Sequence, residues 1–240
     1  MTPINITAER AVRLLAGIKE FHNLSSEELE IVVRHCRWHR YAAGEDIIRY
    51  QDDTNSTFFI VQGVIRVTYY SVSGHEVILC DLSTGEMFGE LTAIDGCARS
   101  AAVIAERDSV LASMSASSFL NLIYSNKEIS LAILKRLTGQ VRRLTERVFD
   151  FSTLAVRNRI HAELLRLAKS QMVASNTAVI SPAPTHADVA NRLSTHREAV
   201  TRELNELVRQ KVIARSGHDL HVLDMAKLAE MVKEIRGSFR

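Results

Sequence analysis

Short runs rich in β-branched and aromatic residues, punctuated by glycine, fill much of the stretch from residue 44 to residue 112. Runs of this kind predict β-strands, and Ser73-Gly74 predicts a hairpin turn between two of them. Because the strands are short and regularly spaced, they predict an antiparallel barrel or jelly roll. Helical segments are predicted before this region of strands. The predicted strands cover residues 58–61, 64–70, 76–80, 103–105 and 109–112, and the predicted helices cover residues 8–21 and 27–36.

From Ser117 onward the apolar residues recur at helical spacing. Up to residue 155 they alternate in steps of four and three, which is the heptad seam typical of a coiled coil. A 3.5-residue period exposes a narrow apolar stripe that suits a parallel partner helix, so we expect a homodimer. The alternative is one long helix packed on its own domain. The predicted dimer interface consists of Leu137, Val141, Leu144, Val148 and Phe151.

Two short helices are predicted near the C-terminus. Residues 185–188 can cap a helix that covers residues 187–193. The T-x-x-E pattern at residues 195–198 predicts a capping box for a second helix over residues 196–210. Two helices joined by a tight turn form a helix-turn-helix, whose second helix enters the DNA major groove.

A two-stranded wing and an excess of positive charge complete this segment. Residues 212–215 and 220–223 flank a Ser-Gly-His-Asp turn and predict a hairpin. The chain as a whole carries a net charge of +2, but residues 1–151 carry −3 and residues 152–240 carry +5. The basic C-terminal part favours double-stranded DNA as a partner.

The first turn of the second helix carries side chains that can read bases. Arg197 and Glu198 are adjacent, and Arg202 follows Glu198 by one turn. Arginine pairs with guanine O6 and N7, and glutamate accepts from the cytosine amino group, so the trio fits a half-site that contains G and C. The alternative is a surface helix whose charges pair with one another.

Composition narrows the class of protein. A chain of 240 residues with 24% charged and 46% apolar residues is suited to two globular domains. The three cysteines stand far apart, which argues against a disulfide framework, a zinc ribbon and a clustered iron–sulfur site. No apolar run approaches the ~20 residues of a membrane span. The first ten residues lack the apolar core of a signal peptide, so we expect a cytoplasmic protein with no membrane contact.

Neither a metal site nor a catalytic site is expected. His35, Cys36 and His39 offer three potential ligands, but they stand among arginines and fit a solvated basic helix face better than a zinc site. The sequence contains no G-x-S-x-G elbow and no Walker loop. We therefore expect a protein that is not an enzyme and that holds no metal.

The segment G-E-M-F-G-E-L at residues 85–91, followed by R-S-A-A-V at residues 99–103, resembles the phosphate-binding cassette of cyclic-nucleotide-binding domains. Together with the pattern S-T-H-R-E-A-V-T-R at residues 194–202, it makes the chain similar to the Crp–Fnr (catabolite activator protein) family of bacterial transcription regulators. The resemblance covers about residues 21–222. It implies an α+β protein with three parts: a cyclic-nucleotide-binding β-roll or jelly roll over residues 1–126, a long dimerisation helix over 127–156, and a winged helix-turn-helix over 157–240.

The chemistry of this cassette suits a cyclic phosphate, which carries one negative charge. Backbone N–H groups at a short helix after Gly89 can cradle it, and glycine allows close approach. Arg99 supplies a two-pronged donor for phosphate oxygens, and Ser100 can donate to them as well. Glu90 can accept a hydrogen bond from the ribose 2′-OH. The alternative is a plain turn in which Glu90 and Arg99 form an ion pair.

The resemblance also implies residues around the sugar and the base. Leu144 and Thr145 stand where the family places a Thr-Ser pair against the adenine, so Thr145 keeps a hydroxyl and Leu144 departs from the pattern. Base selectivity is therefore open, and either cyclic AMP or cyclic GMP can be the effector. The expected nucleotide-binding residues are Gly89, Glu90, Leu91, Arg99, Ser100, Ala101, Leu79, Cys80, Leu82, Leu144 and Thr145.

The function implied is a homodimeric regulator that binds a palindromic operator when a cyclic nucleotide is bound. The expected DNA-binding residues are Thr185, Thr195, His196, Arg197, Glu198, Thr201 and Arg202. The loop over residues 170–185 is a candidate contact for RNA polymerase, as in the family. Two alternatives stay open: a regulator that is ligand-independent or senses a different small molecule, and a regulatory subunit that acts through protein contacts.

Overall fold

The structure, a computed structural model, describes residues 1–71 and 76–236. The expected turn at Ser73-Gly74 lies outside the described residues. The chain divides into two compact units, Met1–Gln140 and Val141–Arg240.

The first unit combines two antiparallel sheets with helices at both ends of its chain. Its strands are β1 (Thr2–Pro3), β2 (Cys36–Tyr41), β3 (Asp46–Ile48), β4 (Thr57–Gln62), β5 (Val64–Tyr70), β6 (Glu76–Ser83), β7 (Met87–Phe88), β8 (Ala102–Ala105) and β9 (Ser109–Met114). Its helices are α1 (Ala8–Leu15), a 3₁₀ turn (Lys19–Phe21), α2 (Ser26–Arg34), α3 (Glu90–Asp95), α4 (Ala116–Ser125) and the beginning of α5 (Lys127–Thr153).

The two sheets form the roll that the sequence predicts. One has the strand order β1-β2-β9-β4-β7 and the other has the order β3-β8-β5-β6, with every pair antiparallel. Strand β4 is buried along five of its six residues because its side chains alternate between two cores. Phe59 packs with the helices, whereas Phe58 and Ile60 fill the space inside the roll. The Phe58 ring stacks on Phe88 with centroids 5.0 Å apart, which fixes the residue just before Gly89.

Two predicted helices are too long. The helix expected over residues 8–21 ends at Leu15, because glycine at position 17 is unfavourable in a helix and the chain turns to bury Ile18 and Phe21. The helix expected to reach Cys36 ends at Arg34, and Cys36 begins strand β2.

The histidine and cysteine group at residues 35–39 therefore does not lie on a helix face, and that interpretation is wrong. Strand β2 forms because Trp38 and Tyr41 bury their rings against the roll. Burial raises the pKa of the half-buried Cys36 thiol to about 12. Within the described ranges no group of three His, Cys, Asp or Glu side chains is arranged to hold a metal ion. In the same ranges, every helix is too short or too polar to span a lipid bilayer.

The second unit surrounds one apolar core with helices and a small sheet. After the end of α5 it contains α6 (Val156–Lys169), β10 (Met172–Ala174), β11 (Thr177–Ile180), α7 (His186–Leu193), α8 (Arg197–Arg209), β12 (Ile213–Ser216), β13 (Asp219–Val222) and α9 (Met225–Arg236). The four strands are ordered β10-β11-β13-β12. The helix-turn-helix is formed by α7 and α8, and β12 with β13 forms the wing, whose turn carries Gly217 at φ +57°.

Two local expectations in this unit are corrected. The segment 170–185, expected as a loop, contains the hairpin of β10 and β11, in which Ala178 and Ile180 are buried. The capping box expected at Thr195 is not formed, because Ser194 adopts a left-handed conformation and α8 begins only at Arg197, with His196 as its cap. The box at Thr185 is present: the Asp188 N–H donates to Thr185 Oγ1, and the Thr185 N–H donates to Asp188 Oδ2, each at 3.0 Å.

Gly63, between β4 and β5, provides a test of the roll. It has φ +108°, and a Cβ there would lie 2.2 Å from Ser109 Oγ and 2.7 Å from Ser109 Cα on β9. We expect Gly63→Ala to lower the free energy of unfolding by about 2 kcal/mol or more, because backbone strain adds to a clash with a paired strand. Denaturant titration measures this change.

Gly44→Ala is the matched control. Gly44 has φ +81° but nothing within 4 Å of a Cβ, so only the strain of about 1 kcal/mol is expected. Equal losses of stability for the two variants would contradict the packing described between β4, β5 and β9.

Candidate functional site

The first candidate site is the turn at Gly89, where β7 passes into α3. Gly89 has φ +79° and caps α3. A Cβ at this position would lie 2.9 Å from both Arg99 Nη1 and Ser56 O, so only glycine allows the chain to pass so close to the arginine. The sequence prediction of a short helix after Gly89 is thus confirmed.

Arg99 is buried in this turn and held by three hydrogen bonds. Its Nε donates to Thr54 Oγ1 at 3.2 Å, Nη1 donates to Gly89 O at 3.0 Å, and Nη2 donates to Ser56 O at 2.7 Å. A guanidinium has five N–H donors, so one N–H on each terminal nitrogen is left for an anion. Burial lowers the pKa of Arg99, and the carboxylates of Asp52 and Glu90 oppose this shift. The site therefore presents a fixed positive charge with two donors.

Glu90 is also buried, at 3% exposure, but it is bonded to α5. Its Oε1 accepts a hydrogen bond from Gln140 Nε2 at 3.1 Å and lies 3.7 Å from Arg136 Nε. The expected alternative, a turn in which Glu90 and Arg99 pair directly, is not what the structure contains. Glu90 instead connects the Gly89 turn to the long helix.

Arg136 joins this turn to the N-terminal helices as well. It donates to the Met87 carbonyl and, from Nη1, to Glu20 Oε1 at 3.4 Å. Glu20 is buried, which raises its pKa although Arg136 opposes the shift. Arg136 and Gln140 were not predicted from the sequence. Their separation of four residues, which places both on one helix face, was the available signal.

The other residues expected around the nucleotide differ in exposure. Leu79, Leu91 and Ser100 are exposed, whereas Cys80 and Leu82 are half-buried and Ala101 is buried. Leu82 packs against the apolar interior of the roll. Leu144 and Thr145 belong to the second unit, where Leu144 is 61% exposed and the Thr145 hydroxyl donates to Val141 O at 3.0 Å.

The second candidate site is the outer face at the start of α8. Arg197, Glu198, Thr201 and Arg202 together line one shallow groove on this face. Arg197, Glu198 and Arg202 are exposed, as are His196 and the cap residue Thr185, while Thr195 and Thr201 are half-buried. Three exposed charged side chains thus point away from the core at the N-terminal end of α8, the helix expected to enter the major groove.

The opposite face of α8 is fixed by apolar packing and by a buried polar cluster. Val200, Leu204 and Leu207 are buried in the core of the unit. Between them, Glu203 Oε1 lies 2.6 Å from His161 Nε2 and accepts a hydrogen bond from Arg157 Nε at 3.1 Å. Burial lowers the pKa of His161 in spite of Glu203. This cluster was not predicted from the sequence, because its members come from two helices far apart in the chain.

The turn between α7 and α8 is held by two arginines outside the helix-turn-helix. Arg147, on α5, donates to Arg192 O at 2.6 Å, and Arg159, on α6, donates to Leu193 O at 3.2 Å. Both guanidinium groups stack on Phe151, with ring-centroid distances of 5.5 and 4.8 Å. The last carbonyls of α7 therefore receive charged donors, which stabilise a helix C-terminus.

The expected dimer residues have different environments. Val141, Leu144 and Val148 are more than 60% exposed on α5. Leu137 is half-buried against the core of the first unit, and Phe151 is half-buried between the two arginines. Leu134, which was not predicted, is 60% exposed one heptad before Val141 and extends the same stripe.

Two family models match the chain, one over the range that contains Gly89 and Arg99 and one over the range that contains α8. Residues 38–126 match the family "Cyclic nucleotide-binding domain", and residues 158–231 match the family "Crp-like helix-turn-helix domain". The chain is 27% identical over 216 residues to the cAMP-activated global transcriptional regulator CRP of Haemophilus influenzae, across 87% of this chain and 96% of that protein.

Solved structures share the fold. A CooA mutant from Carboxydothermus hydrogenoformans superposes with a TM-score of 0.74 at 20% identity, across 84% of this chain and 90% of that one. The c-di-GMP-responsive global regulator CLP from Xanthomonas campestris gives 0.70 at 19% identity, across 82% and 99%. Fold and sites together define a DNA-binding transcription regulator with a cyclic-nucleotide-binding domain. The chain belongs to the Crp–Fnr family.

Substitution at Gly89 tests the first site. We expect Gly89→Ala to weaken any binding of a cyclic nucleotide about tenfold or more, because the new methyl group would displace the Arg99 guanidinium. Isothermal titration calorimetry measures the affinity.

Gly96→Ala is the matched control at the other end of α3. Gly96 has φ +72° and nothing within 4 Å of a Cβ, so this variant carries similar backbone strain without touching Arg99. If Gly96→Ala weakened binding as much as Gly89→Ala, the close approach of Gly89 to Arg99 would have no special role.

Proposed function

We propose that this protein is a homodimeric transcription regulator whose DNA binding depends on a cyclic nucleotide, cyclic AMP or cyclic GMP, bound in the roll. One observation carries the proposal: Gly89, Glu90 and Arg99 meet at one turn, with two guanidinium donors left beside a buried carboxylate. This combination offers a partner for a phosphate and an acceptor for a sugar hydroxyl. The cAMP-activated relative of H. influenzae supports cyclic AMP as the effector.

The proposed contacts follow from this chemistry. The cyclic phosphate binds Arg99 and Ser100, and the ribose 2′-OH donates to Glu90. Leu79, Cys80 and Leu82 line the sugar and base, with Leu91 and Ala101 supporting the turn. Leu144 and Thr145 are proposed to contact the base and to set the preference between adenine and guanine, which share the same sugar and phosphate.

Glu90 also suggests how the effector acts. A ribose hydroxyl that donates to Glu90 would bind the same carboxylate as the Gln140 amide, so the nucleotide and α5 would share one partner. Gln140 lies in the middle of α5. Farther along the same helix, Arg147 donates to the Arg192 carbonyl near the end of α7. The nucleotide can act only through its higher affinity for the DNA-competent arrangement, and such coupling is typically about 1–3 kcal/mol.

DNA binding is proposed to use two copies of the chain. The exposed apolar stripe of α5 pairs with its counterpart, and the two α8 helices then enter successive major grooves roughly 34 Å apart, as in helix-turn-helix dimers generally. Two-fold symmetry implies a palindromic operator. Arg197, Glu198 and Arg202 are proposed to read bases, and Thr185, Thr195, His196 and Thr201 to contact the backbone. The hairpin of β10 and β11 is the proposed contact for RNA polymerase, and the site of action is the cytoplasm.

A second candidate function is regulation by another small molecule. The CLP regulator with this fold responds to c-di-GMP, and Leu144 departs from the hydroxyl pair of the cyclic AMP receptors. In that case Arg99 would still bind a phosphate, but the base contacts would differ.

Calorimetry with cyclic AMP and cyclic GMP, repeated as DNA binding with each nucleotide, is the first experiment. We expect micromolar binding of at least one nucleotide and tighter operator binding with that nucleotide. Arg99→Ala should lose nucleotide binding by about a hundredfold, because a charge-assisted pair to phosphate is removed. Binding of neither nucleotide would reject the proposal and favour another ligand.

The dimer interface is tested separately. Val141→Asp combined with Val148→Asp should give monomers that bind the operator poorly, because each chain would bury two charges in the shared seam. Light scattering measures the mass. Thr138→Asp, exposed on the same helix outside the stripe, is the control and should remain dimeric. A double variant that stayed dimeric would move the interface elsewhere.

A further inference from the structure

A chain of hydrogen bonds links the wing to both helices of the helix-turn-helix. Arg215, on β12, has its Nη2 2.5 Å from Nε2 of His186, the first residue of α7. His186 Nδ1 lies 2.6 Å from the Thr201 hydroxyl on α8. Thr201 Oγ1 donates onward to Arg197 O at 2.9 Å. His186 was not among the residues that the sequence analysis selected.

Only one protonation state of His186 satisfies this chain. Arginine has no acceptor, so Nε2 of His186 must accept from Arg215. A neutral imidazole then carries its hydrogen on Nδ1 and donates to Thr201, whose own hydrogen goes to the Arg197 carbonyl. Burial, followed by the charges of Arg215 and Arg197, lowers the pKa of His186 and keeps it neutral at neutral pH.

The chain places the Arg215 charge beside the groove that α8 presents. Both Arg215 and Arg197 are close enough to His186 to lower its pKa, and Arg197 lines that groove. Arg215 is exposed, and His186 accepts from only one of its five N–H donors. An arginine held in this way loses less side-chain entropy when it meets a phosphate than one that is free to rotate.

We propose that His186 is a positioning residue for DNA recognition, which holds Arg215 of the wing in place to bind a backbone phosphate next to the groove of α8. The proposal goes beyond nucleotide control. It rests on DNA binding by the helix-turn-helix and is the same whichever small molecule the roll binds.

Three variants separate the two hydrogen bonds of His186. An asparagine amide reaches the position of Nδ1 but is too short to accept from Arg215, so His186→Asn keeps the bond to Thr201 and releases the wing. A glutamine side chain reaches the position of Nε2, so His186→Gln keeps the acceptor for Arg215. Arg215→Ala removes the proposed phosphate contact itself. His218→Asn, an exposed histidine in the wing turn, is the matched control.

The readout is the salt dependence of DNA affinity for the full chain at pH 8. The probes are an operator selected from random duplexes by the unmodified protein and a duplex of scrambled sequence. Each phosphate contact contributes about one unit to the slope of log affinity against log salt concentration. We expect Arg215→Ala and His186→Asn each to make the slope shallower by about one on both probes, with about a tenfold loss of affinity. His186→Gln and His218→Asn should keep the slope of the unmodified protein.

The double variant His186→Asn/Arg215→Ala completes the test. If His186 acts through Arg215, the double variant binds within about twofold of Arg215→Ala alone. Additive losses, or a His186→Asn variant that binds more weakly with an unchanged slope, would show a merely structural histidine and overturn the proposal. An Arg215→Ala variant with normal affinity would overturn it as well.

Two controls separate this result from effects on folding and on the response to nucleotide. Thermal unfolding of each variant is measured first. If His186→Asn fails to fold, His186→Ala takes its place, because it also removes the acceptor for Arg215, and the same loss of about one unit of slope is expected. Every variant is compared with the unmodified protein at the same saturating concentration of cyclic nucleotide, or without nucleotide if none is required. If nucleotide did not change DNA binding by the unmodified protein, the proposed function would be overturned, but this comparison of variants would remain valid.

Discussion

The buried carboxylate of Glu90 is the constraint on which the Gly89 turn and its contacts with α5 depend. A charge taken out of water must be matched by donors or by an opposite charge, and here the Gln140 amide and the nearby Arg136 guanidinium supply them from α5. The Arg136 guanidinium also donates to Glu20 and to the Met87 carbonyl. This one arginine therefore connects α5 both to the strand before Gly89 and to the 3₁₀ turn that contains Glu20. Any ligand that changes the partners of Glu90 changes what α5 is bonded to.

Local patterns in the sequence predicted the parts of the fold that local chemistry decides. Short runs of β-branched and aromatic residues predicted strands of the roll, and two such runs around a glycine-containing turn predicted the wing. The box at Thr185 formed, whereas the one at Thr195 did not, because a left-handed Ser194 moved the start of α8. Strand β2 was missed because the burial of Trp38 and Tyr41 depends on a sheet that no short segment reveals.

The residues of the candidate sites also fall into two groups, those that the sequence could predict and those that it could not. Motif residues such as Gly89 and Arg99 could be selected from the sequence, because their chemistry and spacing belong to one cassette. Their partners could not: Gln140 reaches Glu90 across 50 residues, and His161 reaches Glu203 across 42. Such pairs form only when the tertiary fold brings distant helices together. The polar contacts behind α8 and at the end of α7 are of this kind, and they decide how rigidly the DNA-facing side chains are held.

Two of the three cysteines, Cys36 and Cys97, have contrasting environments. Burial raises the pKa of Cys36 to about 12, so its thiol stays protonated and unreactive in neutral buffer. Cys97 is exposed in the short loop between α3 and Arg99, two residues before Arg99 in the chain. A thiol-directed fluorophore would therefore attach at Cys97, near the Gly89 turn, in preference to the half-buried Cys36. The natural sequence already carries an attachment point for an optical probe of ligand occupancy.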